Sequence, residues 1–285
     1  MNGTGFEEVA EQVWRRRGTG RKLAVVGSIH GDEEAGATVI REILTADDRL
    51  WRRAGPVDLT LAIGNPLALE QGTRFSAGGR DLNRIFGAGE LDTSDYEGAR
   101  ASTLMESLGH AEVLLDLHQT ACSTPPVAVI EDTQNHLRLA AGLGVAHAVV
   151  GIEAVYSGTM IARWMDARGG LGLTVETGQK GREEARAAAF EIVRRFLTAG
   201  STAGARGGRI RRYRLRAPWI SPGSGVRFDR PLGNTSRIRA GERIGQTDEG
   251  PLTSDTDAVI FLPREGAPVG TPCMLLADDE GVLSV

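Results

Sequence analysis

Between residues 22 and 200, short and almost wholly apolar runs alternate with segments of helical spacing. That alternation leaves the chain few folds. A run that is apolar on every side suits a strand buried on both faces of a parallel sheet, and the helices between such strands supply the crossovers. KLAVVGSI (22–29), VDLTLAIGN (57–65), EVLLDLH (112–118) and LGLTVETG (171–178) read as strands, with PPVAVIED and VAHAVVG as further ones. Helices are expected over 32–47, where Ala35, Val39 and Ile43 stand four apart, over 96–109, over DTQNHLRLAAGLG and over 181–200. Residues 6–17 read as a short helix. Residues 66–95 hold turn formers and no strong periodicity, and a loop of that length in a compact chain is usually functional. The texture changes at GSTAGARGG, which reads as a linker. RIRRYRLRA, AVIFLP and CMLLAD follow as short strands among Gly and Pro turns. The expectation is an α/β unit with a mostly parallel central sheet over 1–200, then a small all-β domain over 206–285.

Composition removes several classes. No stretch approaches the roughly 20 apolar residues of a membrane span, and the N-terminus lacks the apolar core of a signal peptide. Cys122 and Cys273 make neither a disulfide framework nor a CxxC pair, which fits a reducing cytoplasm. A net charge of −4 argues against a general nucleic-acid binder.

GSIHGDEEAG places His30 and Glu33 three apart, just past a strand and at the start of a helix. Loops beyond the carboxyl ends of parallel strands are where α/β proteins bind ligands. An imidazole and a carboxylate on one tight turn can face a single ion, and zinc accepts such N/O donors. In isolation the same residues also suit a surface turn with acids at a helix N-terminus. His118 ends another apolar strand, with Asp116 two residues before it on the same face, placed to orient a ligand. His110, His136 and His147 read as structural. The loop 65–87 gathers Arg74, Arg80, Asp81, Asn83 and Arg84, a set suited to an acidic substrate or to local salt bridges. Glu176 ends an otherwise apolar strand, where a carboxylate is costly unless paired, solvated in a cleft or catalytic. Burial there would raise its pKa, as a general base requires.

In order along the chain, HGDE, NPLAL, TRF…RDLNRIFG, DLHQT and VETG resemble the motifs of the succinylglutamate desuccinylase/aspartoacylase family of zinc carboxypeptidase-like hydrolases. The resemblance runs from 30 to 178. It implies a three-layer catalytic domain and a small C-terminal β domain. It implies one zinc ion per chain held by His30, Glu33 and His118, with Asp81 and Asp116 as orienting neighbours. Arg74 would polarise the scissile carbonyl, Asn83 and Arg84 would grip a substrate carboxylate, and Glu176 would be the general base. The implied activity is hydrolysis of an N-acyl amino acid in the cytoplasm, by a chain that needs no membrane or nucleic-acid partner and is compatible with a homo-oligomer. Arg163 and Arg168 are candidates, without a matched motif, for reading a second substrate carboxylate.

Four rivals stand beside this reading, one of them a non-catalytic family member, against which the intact set of His30, Glu33, His118, Arg74 and Glu176 argues. A second is a related peptidase acting on a small peptide amide. Another is a binding module: residues 206–243 carry eleven arginines against Asp229 and Glu242, which could hold an anionic partner, although the acidic remainder makes internal complementarity the natural reading. A different hydrolase would need another nucleophile, and HExxH and GxSxG are absent, leaving Cys122 near His118 and Ser224 as weak candidates.

Overall fold

The computed structural model describes residues 5–87, 91–199 and 208–285. The linker expected at 200–208 and Arg206 lie almost wholly or wholly outside them. The strands are β1 (Glu7–Ala10), β2 (Val13–Arg16), β3 (Lys22–Gly27), β4 (Asp58–Ile63), β5 (Val113–Thr120), β6 (Val127–Val129), β7 (His147–Val150), β8 (Leu171–Gln179), β9 (Arg209–Ile220), β10 (Arg227–Phe228), β11 (Ser236–Ile238), β12 (Arg243–Thr247), β13 (Gly250–Thr253), β14 (Ala258–Phe261) and β15 (Pro272–Ser284). The helices are α1 (Ala35–Leu44), α2 (Asp48–Ala54), α3 (Pro66–Gln71), α4 (Tyr96–Leu108), α5 (Gln134–Gly142), α6 (Ile161–Ala167) and α7 (Glu183–Ala199).

Twelve strands form one sheet in the order β1-β2-β4-β3-β5-β8-β6-β7-β9-β15-β14-β11. Its centre is mostly parallel: β4, β3, β5 and β8 run together, β6 is antiparallel to β8, and β6, β7 and β9 again run parallel. Alternate residues of each buried strand face opposite layers. Leu23 and Val25 of β3 pack with α1, α2, α5 and α7, whereas Ala24 and Val26 pack with α4 and α6. This is the three-layer α/β arrangement expected from the alternation. The C-terminal strands join it directly, because β9 lies beside β7 and pairs along its length with β15. A second sheet, β10-β12-β13, packs Ile244 and Leu252 with Val226 against Ile238, Ile260 and Met274 of the first sheet.

Three expectations need correction. Residues 6–17 form the hairpin β1–β2, not a helix. Val9 is exposed while Val13 is fully buried, so their spacing of four marks no common apolar face. Gln12 turns the chain with φ 52°, and β2 gains a full backbone ladder against β4. The first helix begins at Ala35 rather than 32, because Glu33 is held in a turn by its N–H to the His30 carbonyl (3.1 Å). The stretch 66–95 is not all loop: Asn65 caps α3 by accepting from the Ala68 N–H at 3.0 Å, with Pro66 at the first helical position. Helices α2 and α6 were also missed.

Candidate metal centre and cavity

The carboxyl ends of β3, β5 and β8 are neighbours in the sheet, so they bring His30, His118 and Glu176 together from far apart in sequence. His118 and Glu176 are directly opposite in the β5–β8 register. The turn after β3 is tightly built. Ser28 adopts φ 56°, and its hydroxyl donates to the Glu33 carbonyl at 2.7 Å and accepts from the Ala37 N–H. Gly31 packs so closely on α3 that a Cβ there would lie 2.0 Å from the Ala68 carbonyl carbon. Gln119 locks the turn to β5, its side-chain oxygen accepting from the Ala35 N–H.

The buried Glu33 carboxylate is the hub. Its Oε1 lies 3.0 Å from Nδ1 of His30 and its Oε2 lies 2.9 Å from Nδ1 of His118. The Gln119 N–H also donates to Oε2. Donor atoms of these three residues fall within 4.8 Å of one another. The other ring nitrogens each meet a carboxylate: His30 Nε2 faces Asp81 at 3.1 Å and His118 Nε2 faces Asp116 at 2.9 Å. A carboxylate on Nε2 selects the tautomer whose Nδ1 lone pair points inward. Two inward imidazole nitrogens and a carboxylate oxygen, buried beside an open cavity, suit zinc's N/O preference and leave a side open to a small molecule.

Electrostatics follow the same geometry. Burial would raise the Glu33 carboxyl, but the two imidazoles outweigh it and hold it well below the usual carboxylate range. Burial would likewise raise Asp81; His30, Arg74 and Arg84 together hold it well down. Glu176 is different. It lines the cavity half-buried, its Oε2 has no protein partner, and burial pushes its pKa up to about 7 despite the pull of His118.

The cavity, about 710 Å³, is lined by His30, Glu33, Arg74, Asp81, Asn83, Arg84, His118 and Glu176, but not by Asp116 or by Arg80, which pairs with Asp95. Asp116 lies beneath His118 and also accepts from the Thr174 hydroxyl. Arg74 bonds Asp81 at 3.0 Å and reaches to 3.8 Å from Glu33. Asn83 is pinned by its side-chain oxygen, which accepts from the Ile161 N–H. Arg84 donates to the Asn83 carbonyl and lies 4.7 Å from the Tyr156 ring centre. Arg163 and Arg168 do not line the cavity. Arg163 pairs with Glu131, and Arg168 stacks on Trp164 and donates to the Gly109 carbonyl. Cys122 does line it, but burial pushes its thiol up, and Asn234, not a histidine, is its side-chain neighbour. Ser224 bonds Asp248 and Glu249.

Sequence reading missed several contributors. Lys180, one residue past β8, bonds Asp32 at 2.5 Å and lies 3.7 Å from Glu33. Glu97 and Arg100, both buried on α4, hold the loop from behind. Glu97 accepts from the Ser76 N–H, the Ser76 hydroxyl and the Asn65 amide, and Arg100 donates to the Ile63 and Gly64 carbonyls. Their spacing along α4 carries no mark of this role. The far wall, from Leu262 to Arg264 and Thr271 to Leu275, comes from the C-terminal strands.

The arginines of 206–243 are largely neutralised. Arg211 and Arg237 pair with Asp279, Arg212 and Arg214 with Asp132 and Glu280, Arg216 with Asp278, Arg230 with Glu242, Arg227 with Asp248 and Arg243 with Asp229. Among the described residues no helix is long and apolar enough to cross a membrane.

Comparison with known proteins agrees with this geometry. A 111-residue segment is 33% identical to a probable aspartoacylase of Nostoc sp., and a 109-residue segment is 30% identical to an N-acyl-aromatic-L-amino acid amidohydrolase (carboxylate-forming) B of Danio rerio. These matches span only about a third of each relative's own length, 36% and 34%, and of this chain. The whole fold is similar to that of murine aminoacylase 3, with a TM-score of 0.74 at 20% identity over 93% of this chain and 97% of that one. Residues 19–199 match the succinylglutamate desuccinylase/aspartoacylase catalytic domain. This stretch contains all the motif-bearing residues named above, and the chain belongs to the succinylglutamate desuccinylase/aspartoacylase family.

Proposed function

We propose that this chain is a zinc-dependent hydrolase that cleaves the amide bond of N-acyl amino acids in the cytoplasm, one ion per chain. The observation that carries the reading is the Glu33 hub. Both Nδ1 atoms converge on it, both Nε2 atoms are anchored by carboxylates, and a protonatable Glu176 stands opposite. The probable aspartoacylase and the aromatic amidohydrolase among its relatives support the substrate class. In this reading residues 1–200 supply the chemistry, and 206–285 form a β unit that closes the cavity.

His30, Glu33 and His118 would hold the ion, which when bound supplies Lewis-acid polarisation of a carbonyl and acidifies water. Glu176, with a pKa near 7, takes a proton from the attacking water and delivers it to the departing amine. Arg74 presents its guanidinium to the oxygen on which negative charge develops, and a donor so placed contributes several kcal/mol. Asn83 and Arg84 bind a substrate carboxylate, oriented by their bonds to the Ile161 N–H and to each other.

The test is amine release from N-acetyl and N-succinyl amino acids and short peptides, by zinc-replete protein beside its Glu176→Gln variant. Hydrolysis of an N-acyl amino acid that the variant loses is the expected result. Cleavage of peptides alone would make the chain a peptidase, and activity that survives in the variant would remove Glu176 from its role.

A further inference from the structure

The two halves of the cavity differ in chemistry, and the strand order separates them. On one side of β8 lie β5 and β3, with His118, the His30 turn and their carboxylates. On the other side the sheet continues β6-β7-β9-β15. Here the lining is apolar: Val129, Tyr156, Met160, Leu262, Met274 and Leu275. Val129 pairs with Thr174 in the β6–β8 register, two residues from Glu176 and on the same face. The apolar wall therefore begins one strand from the candidate base. It is the cavity edge of a packed core, since Val129, Tyr156, Met160 and Leu262 all rest on the cluster of Val149, Tyr213, Val259 and Leu275.

Two backbone features hold the wall in place. Leu262 adopts φ 50°, rare for a bulky side chain, and its N–H donates to Asn234 Oδ1 at 2.7 Å. Thr159 donates its N–H to the Arg84 carbonyl at 3.0 Å, so Met160 follows directly on a joint with the arginine that is to bind a carboxylate. Arg84 itself lies against Tyr156. A carboxylate held by Arg84 thus brings the substituent on its own carbon against Tyr156 and Met160. Among the described residues that line this wall, Arg264 is the one cation. Lys180 is paired with Asp32 and Arg74 with Asp81, and Arg264 is exposed at the rim.

We propose that this wall is the side-chain subsite and that it selects N-acyl amino acids with apolar side chains, of the leucine, methionine or phenylalanine kind, over those with acidic ones. The proposal rests on the hydrolase reading above for the position of the carboxylate. It is tested first by binding, which needs no turnover: calorimetry of zinc-loaded Glu176→Gln protein with N-acetyl-leucine, N-acetyl-phenylalanine and N-acetyl-aspartate. The apolar ligands are expected to bind at least tenfold more tightly. Met160→Arg, checked for an unchanged melting temperature, is expected to shrink that ratio at least tenfold by placing a cation on the wall. In the unmutated enzyme kcat/KM should show the same order. Equal or tighter binding of N-acetyl-aspartate overturns the subsite, even where the enzyme hydrolyses it and the hydrolase reading stands. Preferential apolar binding without turnover of any ligand by the unmutated enzyme keeps the subsite and sinks the hydrolase reading.

Discussion

The Glu33 hub and the arginine ladder on β9 and β15 are both dense networks of opposite charge, but they are organised in opposite ways. At the centre of the hub the buried carboxylates of Glu33 and Asp116 bond the two imidazoles and no fixed cation, because Arg74 and Lys180 are paired with Asp81 and Asp32. Buried charge of one sign costs several kcal/mol unless something compensates it, and the convergent donors supply a place for a cation. The ladder faces solvent, from half-buried Arg211, Arg212 and Arg214 to exposed Arg216, and its arginines are matched by Asp132, Asp278, Asp279 and Glu280. It needs no further partner. Mutually satisfied exposed charge serves solubility and strand register, whereas deliberately incomplete buried charge marks a binding site.

The largest effect that would sharpen this contrast is Glu176→Gln. Amine release is expected to fall by about 10³-fold. Stability should move the other way in metal-free protein. An unfolded Glu ionises near its ordinary 4.5, while in the folded chain Glu176 stays neutral to about 7. The unmutated protein therefore loses stability as pH rises between those values and the Gln variant does not. The variant should gain about 3 kcal/mol across that window and level off above it, read by denaturant melts against pH. Equal stability at pH 8 would mean Glu176 is not held neutral.

Asp116→Asn comes next. It keeps the shape but removes the charge on His118 Nε2, and zinc affinity measured by chelator competition should fall about 10- to 100-fold. Wild-type affinity would break the link between the buried carboxylates and metal holding. Gly158→Ala acts on the joint between the halves. Gly158 has φ 86°, and a Cβ would lie 2.4 Å from the Arg84 carbonyl oxygen. A cost of about 2 kcal/mol is expected in chemical denaturation, together with a raised KM as Arg84 shifts. The smallest effect belongs to the ladder. Arg214→Ala breaks its contacts to Asp132 and Glu280 yet should cost less than about 1 kcal/mol, and less still in high salt. A cost comparable to a hub mutation would erase the distinction between the networks.

His30, Glu33, His118 and Glu176 were legible in the sequence because each sits at or just past the end of an apolar run. HGDE, DLHQT and VETG announce themselves by placing rare polar groups where a buried strand stops, and parallel strands deliver their ends to one edge of the sheet. The hairpin at 6–17 reads as a short helix in isolation, because its strands are only four residues long and the ladder of β2 with β4 lies outside the local sequence. Glu97 and Arg100 gave no local signal, since the groups they bind lie some twenty to ninety residues away. Arg163 and Arg168 were plausible readers of a carboxylate until Glu131 and Trp164 took them.

By itself, then, the sequence determined the alternation of strands and helices and the chemical kinds gathered at the strand ends, because period and polarity are local properties of the chain. The tertiary structure alone decided that β9 and β15 extend the same sheet and that their residues form the wall facing Glu176. Strand order depends on pairings between distant segments, and such pairings leave no trace in local spacing.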